Sequence, residues 1–124
     1  MRYMSTVKMA EDVGVPPSAL VEAMGAEMGE AFAKGWIVDA GGLYPLSQST
    51  EFRLSSGSIT NTDGPFAEAK EVAGGYAVIQ TDSEEQARAL ARRVVEIHLE
   101  HWPGGEGSVE LRRIAEPDEG SPQA

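Results

Sequence analysis

The chain has 124 residues, the size of one domain, and its 20 acidic against 10 basic side chains give a formal net charge of -10. That charge repels a phosphate backbone and offers anionic lipid no polybasic patch, so neither nucleic acid nor a membrane surface is expected as a partner. The absence of cysteine excludes disulfides, thiolate metal sites and thiol nucleophiles, and leaves stability to packing.

Arg2 to Met9 alternates as a strand, with Tyr3, Ser5, Val7 and Met9 on one face and Met4, Thr6 and Lys8 on the other. The same alternation leaves no continuous apolar stretch for a signal peptide. No run elsewhere approaches the roughly 18 apolar residues of a membrane span. A cytoplasmic location is the expectation.

Pro16 and Pro17 suit a helix entry, and Leu20, Met24, Met28, Ala31 and Phe32 recur at three- and four-residue spacing as a core-facing stripe. Gly35 fits a left-handed cap at its end. Trp36 to Ala40 reads as a second strand, closed by the turn residues Gly41, Gly42 and Pro45. Thr50 to Leu54 and Ser58 to Thr62 are short alternating runs separated by Ser55, Ser56 and Gly57, the spacing of a hairpin with a three-residue loop. Asp63 to Val72 is read as a polar loop, and Tyr76 to Thr81 as a strand introduced by Gly74 and Gly75.

Asp82 and Ser83 precede Glu84, Glu85 and Gln86, which gives the next helix an N-cap, early negative charge and a capping box. Its inner stripe is Ala87, Leu90, Ala91, Val94 and His98. Pro103, Gly104 and Gly105 end it, and Ser108 to Ile114 alternates as the last strand. From Ala115 to Ala124 the polar, breaker-rich chain is expected to fray as a tail outside the domain of residues 1–114.

This order of elements predicts an α+β fold, with two helices on one face of a mostly antiparallel sheet. Tyr3, Met4, Val7, Ala77, Val78 and Ile79 supply more apolar strand positions than one face hides. The uncovered face is therefore expected to pair with a second copy, making a homodimer through the sheet faces.

The stretch Thr62-Asp63-Gly64-Pro65-Phe66-Ala67-Glu68-Ala69-Lys70-Glu71, with Gly74-Gly75-Tyr76 after it, closely resembles the signature of the YCII-related family and its DGPF subgroup. Met1-Arg2-Tyr3-Met4, the Gly41 to Pro45 turn and Glu110-Leu111-Arg112 resemble the same family. The resemblance implies a ferredoxin-like fold that pairs into a dimeric α/β barrel. It also implies a cleft holding a histidine and an aspartate, and an association of DGPF members with extracytoplasmic-function sigma factors. One departure bears on the site. The histidine of shorter family members lies well upstream, whereas the histidines here are His98 and His101, near the end of the second helix, so that pair does not carry over whole.

Six residues are singled out. Asp63 precedes Gly64 and Pro65, where a short acceptor bonds the amides ahead of it in a turn; its functional reading is a general base or a ligand-orienting carboxylate at the barrel mouth. His98 and His101 lie three apart on one helix face, either as acid and base groups or, more plainly, as a packed core imidazole and a helix-end cap. They lack the spacing of a zincin motif, and no metal is assigned. Glu110 and Arg112 share a strand face with each other, and Lys8 alternates similarly on the first strand. The three form either an internal ion-pair set or an anion-binding arginine held by Glu110. The glycine pairs make no nucleotide-binding motif, so no cofactor is expected.

Two functions follow. One is a small enzyme that uses Asp63, a histidine and Arg112 in proton transfer on a small organic substrate, anionic or neutral, in the barrel cleft. The other is a non-catalytic ligand-binding or protein-interaction module linked to a sigma-factor pathway. An enzyme requires an ionisable pair within hydrogen-bond reach inside a closed pocket; an interaction module requires an apolar or acidic surface patch and a filled interior.

Overall fold

The computed structural model describes residues 1–10, 13–64 and 71–120. The elements run β1 (Arg2–Met9), α1 (Ser18–Ala33), β2 (Ile37–Gly42), a 3-10 turn (Leu46–Gln48), β3 (Thr50–Ser55), β4 (Ser58–Asp63), β5 (Val72–Gln80), α2 (Glu84–His101), β6 (Gly107–Arg113) and a second 3-10 turn (Pro117–Glu119). One antiparallel sheet has the order β2-β5-β1-β6, and β3 and β4 pair separately. With that hairpin set aside, the remaining βαββαβ order is the ferredoxin-like α+β fold.

The helix ends are set by local chemistry. Gly35 adopts φ 77, and Gly35 N donates to Phe32 O at 3.1 Å while Trp36 N donates to Ala31 O at 2.9 Å. These two bonds satisfy carbonyls left open at the end of α1, a closure that a residue with a Cβ adopts at a cost. At the start of α2, Ser83 Oγ accepts from Gln86 N at 3.2 Å, and Glu84 and Glu85 sit in the first turn, where the helix dipole favours negative charge.

The helices cover one face of the sheet. Tyr3, Ile37, Ala77 and Ile79 from the strands pack with Ala31 and Ala87 from the helices in a single buried cluster. In α2 the buried positions are Ala87, Ala91, Val94 and Ile97, and Ile97 is 1% exposed. Ile97 lies beside the predicted His98 on the same stripe, and the larger apolar side chain takes the deeper place. In α1, Leu20 and Ala31 are buried, but Phe32 at the helix end remains 45% exposed.

Three local differences from the sequence reading have physical reasons. Ser55 pairs with Ser58, so the hairpin loop is the two-residue Ser56–Gly57; their φ values of 52 and 77 are those of a tight turn that matches strand twist. β5 starts at Val72 rather than Tyr76. Its register against β1 steps from Val7↔Gly75 to Lys8↔Ala73, so Gly74 is an extra, bulged residue, and its carbonyl accepts from Leu43 N at 3.0 Å. The segment expected to fray carries the second 3-10 turn, with a reciprocal capping box between Glu116 and Glu119. Arg2 holds Glu116 through Nε at 2.8 Å and a second guanidinium nitrogen at 3.0 Å. Residues 121–124 lie outside the described residues.

Candidate functional site

The strand registers divide the candidate residues between two faces of the sheet. Tyr3 and Ser5 stand opposite Ile79 and Ala77, and Val7 opposite Gly75, on the helix side. The intervening positions point away from the helices: Met4, Thr6 and Lys8 on β1, Tyr76 and Val78 on β5, Glu110 and Arg112 on β6. Of the six apolar residues counted as too many for one face, Tyr3, Val7, Ala77 and Ile79 are thus on the helix side, and Met4 and Val78 are on the open side.

On the open side Glu110 bridges two cations. Lys8 Nζ donates to its Oε1 at 2.9 Å, and Arg112 donates to its Oε2 in a short contact. These bonds, Lys8's first and then Arg112's, hold the Glu110 carboxyl below its ordinary range. Tyr76 lies over Gly41, where a Cβ would meet the ring at 2.9 Å, and its hydroxyl donates to Asp39 at 3.5 Å. The charges here are matched to one another, and Arg112 remains largely exposed.

On the helix side a cleft of about 750 Å³ opens between α1, the end of α2 and the sheet. Its floor takes in Gly42, Gly74 and Gly75 beside Val7, Met9 and Val72, and its walls include Leu20 and Met24 from α1 and His98 and Trp102 from α2. A second cavity of about 170 Å³ on the β6 side shares Val7, Met9, His98 and Trp102. His98 and Trp102 therefore stand between two hollows. The cleft exists in part because the sheet beneath α1 offers Gly42, Gly74 and Gly75 where longer side chains would fill the layer.

His98 is fixed within this wall. Its Nδ1 lies 2.8 Å from Val94 O, and because a carbonyl has no proton to give, Nδ1 carries the hydrogen. Nε2 has no protein partner among the described residues. No buried side-chain nitrogen or oxygen there lacks a partner, so Nε2 is accessible, on a ring that lines the cleft. Trp102 is braced from behind by Gly105, where a Cβ would sit 3.1 Å from the indole Cγ.

The YCII-related domain family matches residues 1–103, the run from β1 through α2. The chain belongs to the YCII-related family. No curated protein matches it. The matched span includes Lys8, Asp63, His98 and His101, and ends before β6, which carries Glu110 and Arg112.

Within this YCII-related domain Asp63 ends β4 at the base of the hairpin, and its Oδ1 accepts from Thr50 Oγ1 at 3.0 Å across the strand pair. Of the amides ahead of it that the turn reading invoked, Gly64 N donates instead to Ser49 O, the proline that follows has no N–H to give, and residues 66–70 lie outside the described residues. Gly64 has a distinct role: its N donates to Ser49 O at 2.8 Å, and a Cβ there would overlap the Leu46 carbonyl. This contact anchors the hairpin base to the 3-10 turn, whose Leu46 lines the cleft. Asp63 does not line the cleft with His98.

His101 lies in the last turn of α2, with Nε2 3.7 Å from Glu100 Oε2, and it is absent from both cavity walls that His98 lines. The structure thus gathers Lys8, Glu110 and Arg112 on one face and leaves His98 on the other, with Asp63 and His101 each apart. Among the described residues no three His, Asp or Glu side chains cluster as metal ligands would, and no helix there is long and apolar enough to cross a membrane. Trp102 and Met24 are cleft residues that the sequence reading did not assign. Met24 was read as core, and a helical stripe looks the same whether it meets a packed layer or an open one.

Proposed function

We propose that the protein binds a small organic molecule in the helix-side cleft and acts on it by proton transfer at His98 Nε2. The observation that carries this reading is the pairing of an open apolar cleft with an imidazole whose Nδ1 is tied to Val94 O. That bond fixes the neutral ring as the Nδ1–H tautomer, which leaves a basic nitrogen facing accessible space. An open interior favours a ligand-binding enzyme over a module that only displays a surface.

The test is ligand-observed NMR with a fragment library on the full chain, repeated with Met24→Trp, which fills the cleft. Binding should disappear in the variant; unchanged binding would place the site elsewhere. For proton transfer, fragments that bind and carry a hydrogen next to a carbonyl are followed for deuterium uptake from D2O. His98→Gln should slow protein-catalysed uptake by about a hundredfold or more. Equal uptake with both proteins would remove His98 from the chemistry.

A second copy of the chain is the proposed partner. Met4 and Val78 on the open sheet face support it, as does the hairpin, whose Phe52, Leu54 and Ile59 are 70%, 76% and 73% exposed. Two strands alone are marginal in water. Sedimentation should show a dimer at micromolar concentration, and a monomer there would refute the pairing.

A further inference from the structure

Resting on the cleft reading, we infer the class of molecule that it takes: an uncharged, mainly apolar ring compound bearing a phenol- or enol-type O–H. Its hydroxyl meets His98 Nε2 and its ring lies against Trp102.

Charge is decided by the lining. Among the described residues no Asp, Glu, Lys or Arg side chain lines the large cleft. An ion brought there would lose its water without gaining a counter-ion, a cost that buried charges escape only by pairing. The cations nearest to such a role in the sequence, Lys8 and Arg112, lie across the sheet and are already bonded to Glu110. Among the described residues an anionic ligand therefore finds no counter-ion in this cleft.

The polar end is decided by the tautomer. With its hydrogen on Nδ1 and committed to Val94 O, the neutral ring presents Nε2 as an acceptor only, so the complementary ligand group is a donor. An ether or ester oxygen in that place would face a lone pair and forfeit the bond. A phenol or enol O–H also suits the chemistry. As its proton passes to Nε2 the O–H bond breaks and an N–H bond forms. The electron pair stays on oxygen, and the imidazolium that results keeps Nδ1–H on Val94 O.

Shape is decided by the walls. Gly74 and Gly75 leave the floor without side chains of their own, Gly105 packs against the Trp102 ring, and Met9 and Met24 contribute thioethers that adapt to an aromatic edge. A volume of about 750 Å³ admits a molecule of two or more fused rings.

The test is calorimetric titration of the full chain with 2-naphthol, 2-methoxynaphthalene and 2-naphthoate, which share a ring system and differ at one group. The naphthol should bind about tenfold more tightly than its methyl ether, the value of one hydrogen bond, and the carboxylate should bind more weakly than either. In His98→Phe the ether should still bind and the advantage of the naphthol should vanish. Equal affinity of naphthol and ether for the unmodified chain, or tightest binding of the naphthoate, would overturn the ligand class while leaving the cleft as a site. Failure of all three to bind, or binding that persists in folded Met24→Trp, would overturn the cleft reading itself.

Discussion

The two faces of the four-stranded sheet use the same alternating strands to opposite ends. On the open face Lys8, Glu110, Arg112, Tyr76 and Asp39 satisfy one another. On the helix face, small residues leave a cleft, and the polar group of its inner wall, His98, is held at one nitrogen and available at the other. A set of matched charges has little left to offer a ligand, whereas one oriented acceptor in an apolar hollow has a specific demand. The difference shows why counting ionisable residues is a poor guide to a site, and why their unspent bonding capacity is a better one.

The sharpest contrast in stability should come from removing one side chain on each side. Ile97→Ala deletes the most deeply buried large residue and should cost about 2–5 kcal/mol. Arg112→Ala removes an ion-pair partner that is exposed in the single chain, and in protein diluted to the monomer it should cost about 1 kcal/mol or less. Urea denaturation measures both. Similar losses would mean that the open face contributes to the fold far more than its exposure implies.

The rim of the cleft is the next place to press. Gly64→Ala drives a methyl into the Leu46 carbonyl and should destabilise by about 1–3 kcal/mol. Gly25→Ala, on a stretch of α1 with open space around it, should stabilise by about 0.5–1 kcal/mol. Thermal unfolding of the two variants should therefore shift in opposite directions. Asp63→Asn keeps an acceptor for the Thr50 hydroxyl and should be close to neutral, while Asp63→Ala should lose about 1 kcal/mol at most.

The smallest effect is the response of the paired carboxylates to acid. Glu110, bonded first to Lys8 and then to Arg112, and Glu116, bonded to Arg2, both have carboxyl pKa values held below the ordinary 4.5. The unfolded chain takes up protons at these groups before the native chain does. Their contribution is thus fully present above that ordinary value and is lost as pH falls through the lower native values. Replacing either with Gln should flatten the acid limb of the stability curve slightly, and more so at low salt, where exposed pairs are least screened.

Much of the fold was legible in the sequence. The boundaries of β1, the glycine that closes α1 and the serine that opens α2 each follow from a local rule with one outcome. The Ser56–Gly57 turn and the bulge at Gly74 were harder, because both depend on the register between strands rather than on the residues at the turn. The same limit governed the site. Alternation placed Glu110 and Arg112 together and Lys8 within their reach, and the structure joins all three. It did not reveal that Gly42, Gly74 and Gly75 fall together beneath α1, since a cleft is made by what two layers fail to fill. The packed-core reading of His98 captured its single tied nitrogen but not the hollow beside it. Trp102 carried no motif. It matters because the chain after α2 folds Gly105 against its ring.

The most direct test of where ligands bind is a crystallographic soak of the protein with a set of small hydroxylated aromatic fragments. Density in the helix-side cleft, with an oxygen within hydrogen-bond distance of His98 Nε2, is the predicted result. Fragments gathered instead on the open sheet face around Lys8 and Arg112, with the cleft closed by its own side chains, would contradict the account.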